Sequence, residues 1–265
     1  LDLPTLPDTE APPSLAGGVP ASELFPLQAD ERVIGVMSLD AAAGPLALGT
    51  ASGVVKRVSH DVPKGEEWEV VALKAGDRVV GAAHAPDEAT LVFVATDAQL
   101  LHFPAASVRP QGRAAGGMAG IKLSASAEVL FFGVVAHPAL ESGDPGWQGA
   151  EGTLFDLGDA PADDAAPPAG AVVVTIAGSS RTLPGTEAGS VKVTPFELYP
   201  GKGRATGGVR CQRFLRGQNT LIAAWVGPSP ARAVGAGGQP IPLPAPDPRS
   251  DGSGAPVRAA IAAIG

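Results

Sequence analysis

The sequence predicts an all-β repeat protein built from four-stranded units of propeller size. Three observations predict it. The phrases Gly112-Arg113-Ala114-Ala115-Gly116-Gly117-Met118 and Gly203-Arg204-Ala205-Thr206-Gly207-Gly208-Val209 are near-copies, each following one apolar run and preceding another. A new apolar run begins 13 residues after Ala115, at Glu128, and 13 residues after Thr206, at Asn219. The chain is also rich in Gly (35) and Pro (27) and poor in aromatic residues (5%), as many short strands joined by turns require.

Residues 1–22 form the first element, an acidic, Pro-rich tail or linker without periodicity. Residues 23–265 form the second, the repeat domain. Its units open on Glu31-Arg32-Val33-Ile34-Gly35, Asp77-Arg78-Val79-Val80-Gly81, Glu128-Val129-Leu130-Phe131-Phe132 and Asn219-Thr220-Leu221-Ile222-Ala223. Successive openings lie 46, 51 and 91 residues apart, and four-stranded units of about 40–50 residues are the size of propeller blades. A second strand runs through Leu46–Thr50, Leu91–Thr96 and Val172–Thr175, and a third through Gly53-Val54-Val55-Lys56-Arg57, with echoes at 99–103 and 189–193. The strand after the Gly-Gly turn, as in 118–123, closes the unit. The acidic, Pro/Ala-rich stretch 136–170 lengthens the third interval and reads as an inserted loop or a degenerate fifth unit. Further closing-strand phrases near Ala16-Gly17-Gly18-Val19 and Gly254-Ala255-Pro256-Val257 suggest units that exchange strands with their neighbours, or a ring zipped by its termini.

Composition narrows the function. No run of 18 apolar residues is present, so no membrane span is expected. The single Cys211 allows no internal disulfide and reads as a small filler on a strand. His60, His84, His102 and His137 have no second ligand at metal spacing, so no metal site and no cofactor are expected. Ser179 and Ser180 belong to no nucleophile arrangement, and no catalytic residue is assigned. Trp68 and Trp225 sit in apolar strand patterns and read as packing residues.

The formal charge of −8 is unevenly placed. Residues 1–30 carry five acids and residues 136–170 carry seven, and neither stretch holds a Lys or Arg. With those twelve set aside, 15 acids face 19 bases, so the repeats themselves are basic. The bases recur at matched places: Lys56 and Arg57; Arg109, Arg113 and Lys122; Lys192; then Lys202, Arg204, Arg210, Arg213 and Arg216. Bases repeated on successive units can track a phosphate backbone through counterion release, with Arg gripping phosphates bidentately. The competing reading is a solvated strand face, and at the level of function a protein-interaction platform that does not touch DNA.

The phrases at 53–57, 108–123 and 189–214 resemble the C-terminal domain of the A subunit of bacterial type IIA topoisomerases, that is, DNA gyrase and topoisomerase IV. The resemblance covers roughly residues 25–260. It implies a β-pinwheel of strand-exchanged blades whose basic perimeter binds and bends duplex DNA beside a cleavage core. It also implies a non-catalytic, cytoplasmic, nucleoid-associated domain. Its partners would be the ATPase B subunit of the full enzyme and the N-terminal cleavage domain that shares its own polypeptide. The family's catalytic tyrosine lies in another region, so Tyr199 is not given that role. The sequence lacks the Gln-Arg-Arg-Gly-Gly-Lys-Gly box of gyrase, has only four clear openings, and is net acidic. These departures favour the topoisomerase IV type and an open or broken ring.

Overall fold

The computed structural model describes residue 23 and residues 27–28, 31–59, 67–136, 170–182, 185 and 187–265. The tail expected at 1–22 and nearly all of the insert expected at 136–170 therefore lie outside the described residues. In chain order the strands are β1 (Leu46–Thr50), β2 (Val54–Val58), β3 (Val79–His84), β4 (Thr90–Ala95) and β5 (Gln99–Pro104). Then come β6 (Pro110–Gln111), β7 (Met118–Ala119), β8 (Val129–Val135), β9 (Ala171–Gly178) and β10 (Ser190–Pro195). The last are β11 (Val209–Arg210), β12 (Thr220–Pro228), β13 (Ala233–Val234), β14 (Ala255–Pro256) and β15 (Ala263–Ile264).

Three sheets share one plan. The first blade is ordered β3-β1-β2-β7, with β6 also running parallel to β2; the second is β8-β4-β5-β11 and the third β12-β9-β10-β14. Each therefore has an inner hairpin, tight in the first two blades and joined through residues 179–189 in the third, an outer strand that returns to the hairpin's first strand, and a short strand on the far edge. That edge strand comes from the next unit along the chain. β7 follows the second blade's hairpin yet pairs with β2, and β11 follows the third blade's hairpin yet pairs with β5. This is the strand-exchanged pinwheel. The pairing also shifts the expected unit, because the strand read as an opening (79–84, 129–135, 220–228) closes the sheet of the hairpin before it. The fourth blade is a remnant, with β13 paired to β15 and a bridge from Val234 to Pro240. The expected first opening, Glu31–Gly35, is exposed and belongs to no strand, because no hairpin lies beside it among the described residues.

The core sits between blades rather than within a sheet. β4 is buried along its whole length because its two faces serve different clusters. Leu91 and Phe93 point into the first cluster with Val55, Leu101, Phe103 and Phe132, while Val92 and Val94 point into the second with Leu100, Tyr199, Cys211 and Leu221. Phe93 packs tilted on Phe132 at 4.8 Å between ring centroids. The third cluster, Val172, Val174, Ile176, Val191 and Val193, is capped by Trp225 as its strand pattern predicted, and by Leu243, Ile261 and Ile264 of the remnant blade. Trp68 is half-buried and lies outside the strands.

Candidate nucleic-acid interface

The Gly-Gly turns are needed where an exchanged strand crosses onto its neighbour. A Cβ on Gly208 would lie 2.5 Å from the Leu100 carbonyl oxygen, and one on Gly117 would lie 2.7 Å from that of Val55. Gly254 stands in the same relation to Val191, also at 2.7 Å. Only glycine lets the backbones close to this distance. The register makes Val55, Leu100 and Val191 equivalent, each facing the first residue after its glycine: Met118, Val209 and Ala255.

That register changes the meaning of the basic residues on the third strands. Lys56 and Lys192 are equivalent to Leu101, which is a core residue. Lys56 is fully buried, and its Nζ donates to the carbonyls of Val70 (2.8 Å), Arg113 (2.5 Å) and Ala115 (2.7 Å). Lys192 is 1% exposed, and its Nζ donates to Thr194 Oγ1, to Tyr199 Oη (3.3 Å) and to the Ser250 carbonyl (3.1 Å). Both amines thus bind the Gly turn of the following unit, at the equivalent carbonyls of Arg113 and Ser250. Burial lowers the pKa of each, that of Lys192 to about 8.

Arg57 is 1% exposed and donates to the Ala105 and Val108 carbonyls at 3.1 Å, with Asp87 at 2.6 Å. His102 takes the equivalent place and bonds Tyr199 O at 2.9 Å. Each ties its blade to the 3-10 turn of the next, Ala105–Ser107 or Phe196–Leu198. Lys56, Arg57 and Lys192, expected as phosphate contacts, are therefore corrected to internal clamps: a buried cation bonded to carbonyls presents no charge to a phosphate.

The remaining expected bases reach the surface. Arg109, Lys122, Lys202, Arg210, Arg213 and Arg216 are exposed, and Arg113 and Arg204 are half-exposed. Backbone bonds gather one set where the first two blades meet. Lys122 N donates to Thr206 O at 3.0 Å, and Ala205 N donates to Gly120 O at 2.6 Å. Arg204 reaches Ala119 O at 2.6 Å, and Lys202 Nζ reaches Gly208 O at 3.1 Å. Lys122, Lys202 and Arg204 are thus held on neighbouring segments, with Arg210 on the adjoining β11, and none of the four is in an ion pair among the described residues. The next junction repeats the bond, Arg213 N to Gly252 O at 2.9 Å, but there Arg213 is paired with Asp251 at 3.1 Å. Asp251 occupies the turn position held by Ala114 and Ala205 in the two Arg turns. Nearby, Arg249 pairs with Asp247 at 3.2 Å.

The other chemistry on the chain is structural. Tyr199 is 3% exposed, its hydroxyl donating toward the carbonyls of Cys211 (3.3 Å) and Ser250 (3.2 Å), and burial pushes its pKa up. Cys211 is buried as expected, with its thiol 3.3 Å from Ala98 O and its pKa pushed up to about 12 by desolvation. His84 bonds the Gly44 and Ser38 carbonyls at 3.0 Å; His60 and His137 lie outside the described residues. No cluster of three or more metal-ligating residues occurs among the described residues, and no described helix is long and apolar enough to cross a membrane.

Comparison with known proteins agrees with this geometry. A family model described as the DNA gyrase C-terminal domain, β-propeller, matches residues 89–136 and 185–223. The chain is 25% identical over 214 residues to the DNA gyrase A protein of Haemophilus influenzae, covering 79% of this chain and 23% of that protein. It is 31% identical over 127 residues to the gyrase A protein of Mycolicibacterium smegmatis, covering 45% of this chain and 15% of the relative. The chain thus spans less than a quarter of these relatives. In fold it matches the C-terminal domain of DNA topoisomerase IV with a TM-score of 0.65 at 15% identity, covering 92% of this chain and 68% of that one. It matches the DNA gyrase A C-terminal domain at 0.61 and 16%, covering 92% and 73%.

Proposed function

We propose that this chain, which belongs with the C-terminal domains of the gyrase and topoisomerase IV A proteins, is a non-catalytic holder of duplex DNA for a type II topoisomerase. The observation that carries the reading is the meeting of Lys122, Lys202, Arg204 and Arg210 at the junction of the first two blades, free of ion pairs among the described residues. Arg109 and Arg113 flank this set in sequence, on the segment that leads into β7. Side chains of this kind position a duplex through its phosphates and carry no base code.

The duplex would be held beside the cleavage domain of the same polypeptide, with the ATPase partner completing the enzyme in the cytoplasm, at the nucleoid. Three full blades and a remnant among the described residues give a short arc of surface. With the missing gyrase box, this supports the topoisomerase IV type: modest bending, and selection of segments for unlinking or relaxation.

The test is duplex binding across a salt series with the double variant Lys122→Glu/Arg204→Glu. Wild type should lose affinity with a log–log slope of about −0.9 per phosphate neutralised, several phosphates being involved. Unchanged binding by the variant at low salt would reject the interface.

A further inference from the structure

The three Gly turns share a backbone and differ in what stands behind them and in front. Behind the turn 112–117 lies the buried amine of Lys56, bonded to Val70 O (2.8 Å), Arg113 O (2.5 Å) and Ala115 O (2.7 Å). Three acceptors use all three N–H groups of an ammonium, so the amine is protonated here. No carboxylate pairs with it among the described residues. The second turn, 203–208, has Leu101 in the place of Lys56 and carries its charge on the side chains of Lys202 and Arg204. The third, 249–254, has Lys192 behind it and Asp251 in front. Only the first turn joins a buried amine to a run that holds no acid.

The buried amine fixes the direction of two peptide groups. Both are trans, the one cis bond among the described residues being Ser229–Pro230, so each N–H points opposite to its own C=O. With the carbonyls of Arg113 and Ala115 turned inward to Lys56, the N–H groups of Ala114 and Gly116 turn outward. Both residues are exposed, and neither N–H has a partner among the described residues. An open surface concavity lies at this place, lined by Glu69, Gly112, Arg113, Ala114 and Ala115. Outward main-chain N–H groups at a concave surface form an anion-binding arrangement.

We propose that Lys56 is a positioning residue that makes the 112–117 turn a main-chain seat for a phosphate oxygen of the bound duplex, through the N–H groups of Ala114 and Gly116. Lys56 itself touches no phosphate. It holds the carbonyl ends of the two peptides, so that their N–H ends face out. The inference rests on the reading that the chain holds DNA, and it adds to the exposed bases a contact that no surface charge reveals. Glu69, exposed at the same concavity, opposes an anion there. At the third turn Lys192 turns the Ser250 carbonyl inward in the same way, but the Asp251 carboxylate stands where the anion would sit.

The test follows the main-chain amides of the full chain by NMR during titration with a short duplex at low salt. The Ala114 and Gly116 resonances should move as the duplex saturates, while those of Asp251 and Ser253, the equivalent positions of the third turn, should stay. In Lys56→Met both shifts should vanish and duplex affinity should fall at least threefold. The salt slope should hold, because a peptide N–H neutralises no phosphate. Lys192→Met removes the matching clamp at the acid-bearing turn and should change affinity less than twofold, whereas a role in stability alone would move both variants alike. Glu69→Gln should raise affinity about twofold. Ala114 and Gly116 amides that stay in place at saturation in wild type would overturn the proposal whether or not Lys56→Met folds, and so would equal losses in the two Lys→Met variants. If Lys122→Glu/Arg204→Glu still loses binding in that case, the DNA-holding reading stands without this seat. A wild type that binds no duplex at low salt removes both.

Discussion

The junction between the first and second blades and the junction between the second and third use one backbone device and differ in charge. In both, the residue three past the end of an exchanged strand donates its N–H to the next Gly turn, from Lys122 to Thr206 and from Arg213 to Gly252. At the first junction Lys122, Lys202, Arg204 and Arg210 are in no ion pair among the described residues; at the second, Asp251 pairs Arg213 and Asp247 pairs Arg249. The scaffold is thus indifferent to charge, and two adjacent turn residues, Arg204-Ala205 at one junction and Ser250-Asp251 at the other, set much of the difference. Fold and surface charge are separable properties here, and a comparison of variants can test whether polyanion binding follows the charge.

The largest effect should come from breaking the shared device. Gly208→Ala would drive a Cβ into the Leu100 carbonyl, whereas Gly207 has nothing within 4 Å. Urea unfolding should show a loss of about 3 kcal/mol or more for Gly208→Ala and less than about 1 kcal/mol for Gly207→Ala. Equal losses would mean that the close crossing is not what the pair of glycines serves.

Next in size is the asymmetry between junctions. Lys122→Glu/Arg204→Glu should weaken duplex binding at low salt by tenfold or more, while Arg213→Glu should cost about twofold because Asp251 already opposes that charge. Equal effects per charge in a filter-binding series would place the duplex across both junctions.

The buried clamp gives a pH signature. Burial holds the Lys192 amine at about 8 against 10.5 for the ordinary amine. Between these values the folded chain binds fewer protons than the unfolded one, so stability rises with pH. From about pH 9 upward the raised Cys211 thiol, and then Tyr199, act in the opposite direction. Between pH 8 and 9, wild type should gain about 1 kcal/mol relative to Lys192→Met in chemical unfolding. A flat difference would mean that the folded amine stays protonated across this range, as the ordinary amine does.

The smallest effect sharpens the comparison from the other side. Asp251→Ala should free Arg213, raise duplex affinity two- to threefold, and steepen the salt slope by about one phosphate. No change would leave the second junction outside the bound region.

The fold was largely legible because its punctuation is chemical. Gly117 and Gly208 stand where backbones must touch, and such contacts tolerate nothing larger, so the repeated phrase survives in the sequence. The unit boundary was less legible. An outer strand and an opening strand have the same alternation of apolar residues, and only the pairing of β3 with β1 shows which sheet owns it. Among the site residues, charge type misled at Lys56, Arg57 and Lys192. A strand between two blades is buried on both faces, so its cations turn inward to carbonyls. The signal was available in a one-residue shift of alignment, which sets Lys56 and Lys192 beside Leu101 and Arg57 beside His102. What no sequence pattern carried was the pairing of Arg213 with Asp251, two residues 38 positions apart that only the exchanged strand brings together.

Strand exchange also decides where this polypeptide can change length. The run from a hairpin through the exchanged strand to the outer strand is stitched to two sheets, so an insertion there would pull both apart. The step from an outer strand to the next hairpin crosses no sheet. It takes five residues, 85–89, between β3 and β4, and 35 residues, 136–170, between β8 and β9. The short link is fastened to the core by buried Ala85 and Ala89 and by Asp87 on Arg57, so a reporter or an affinity handle belongs in the long step and not in the short one.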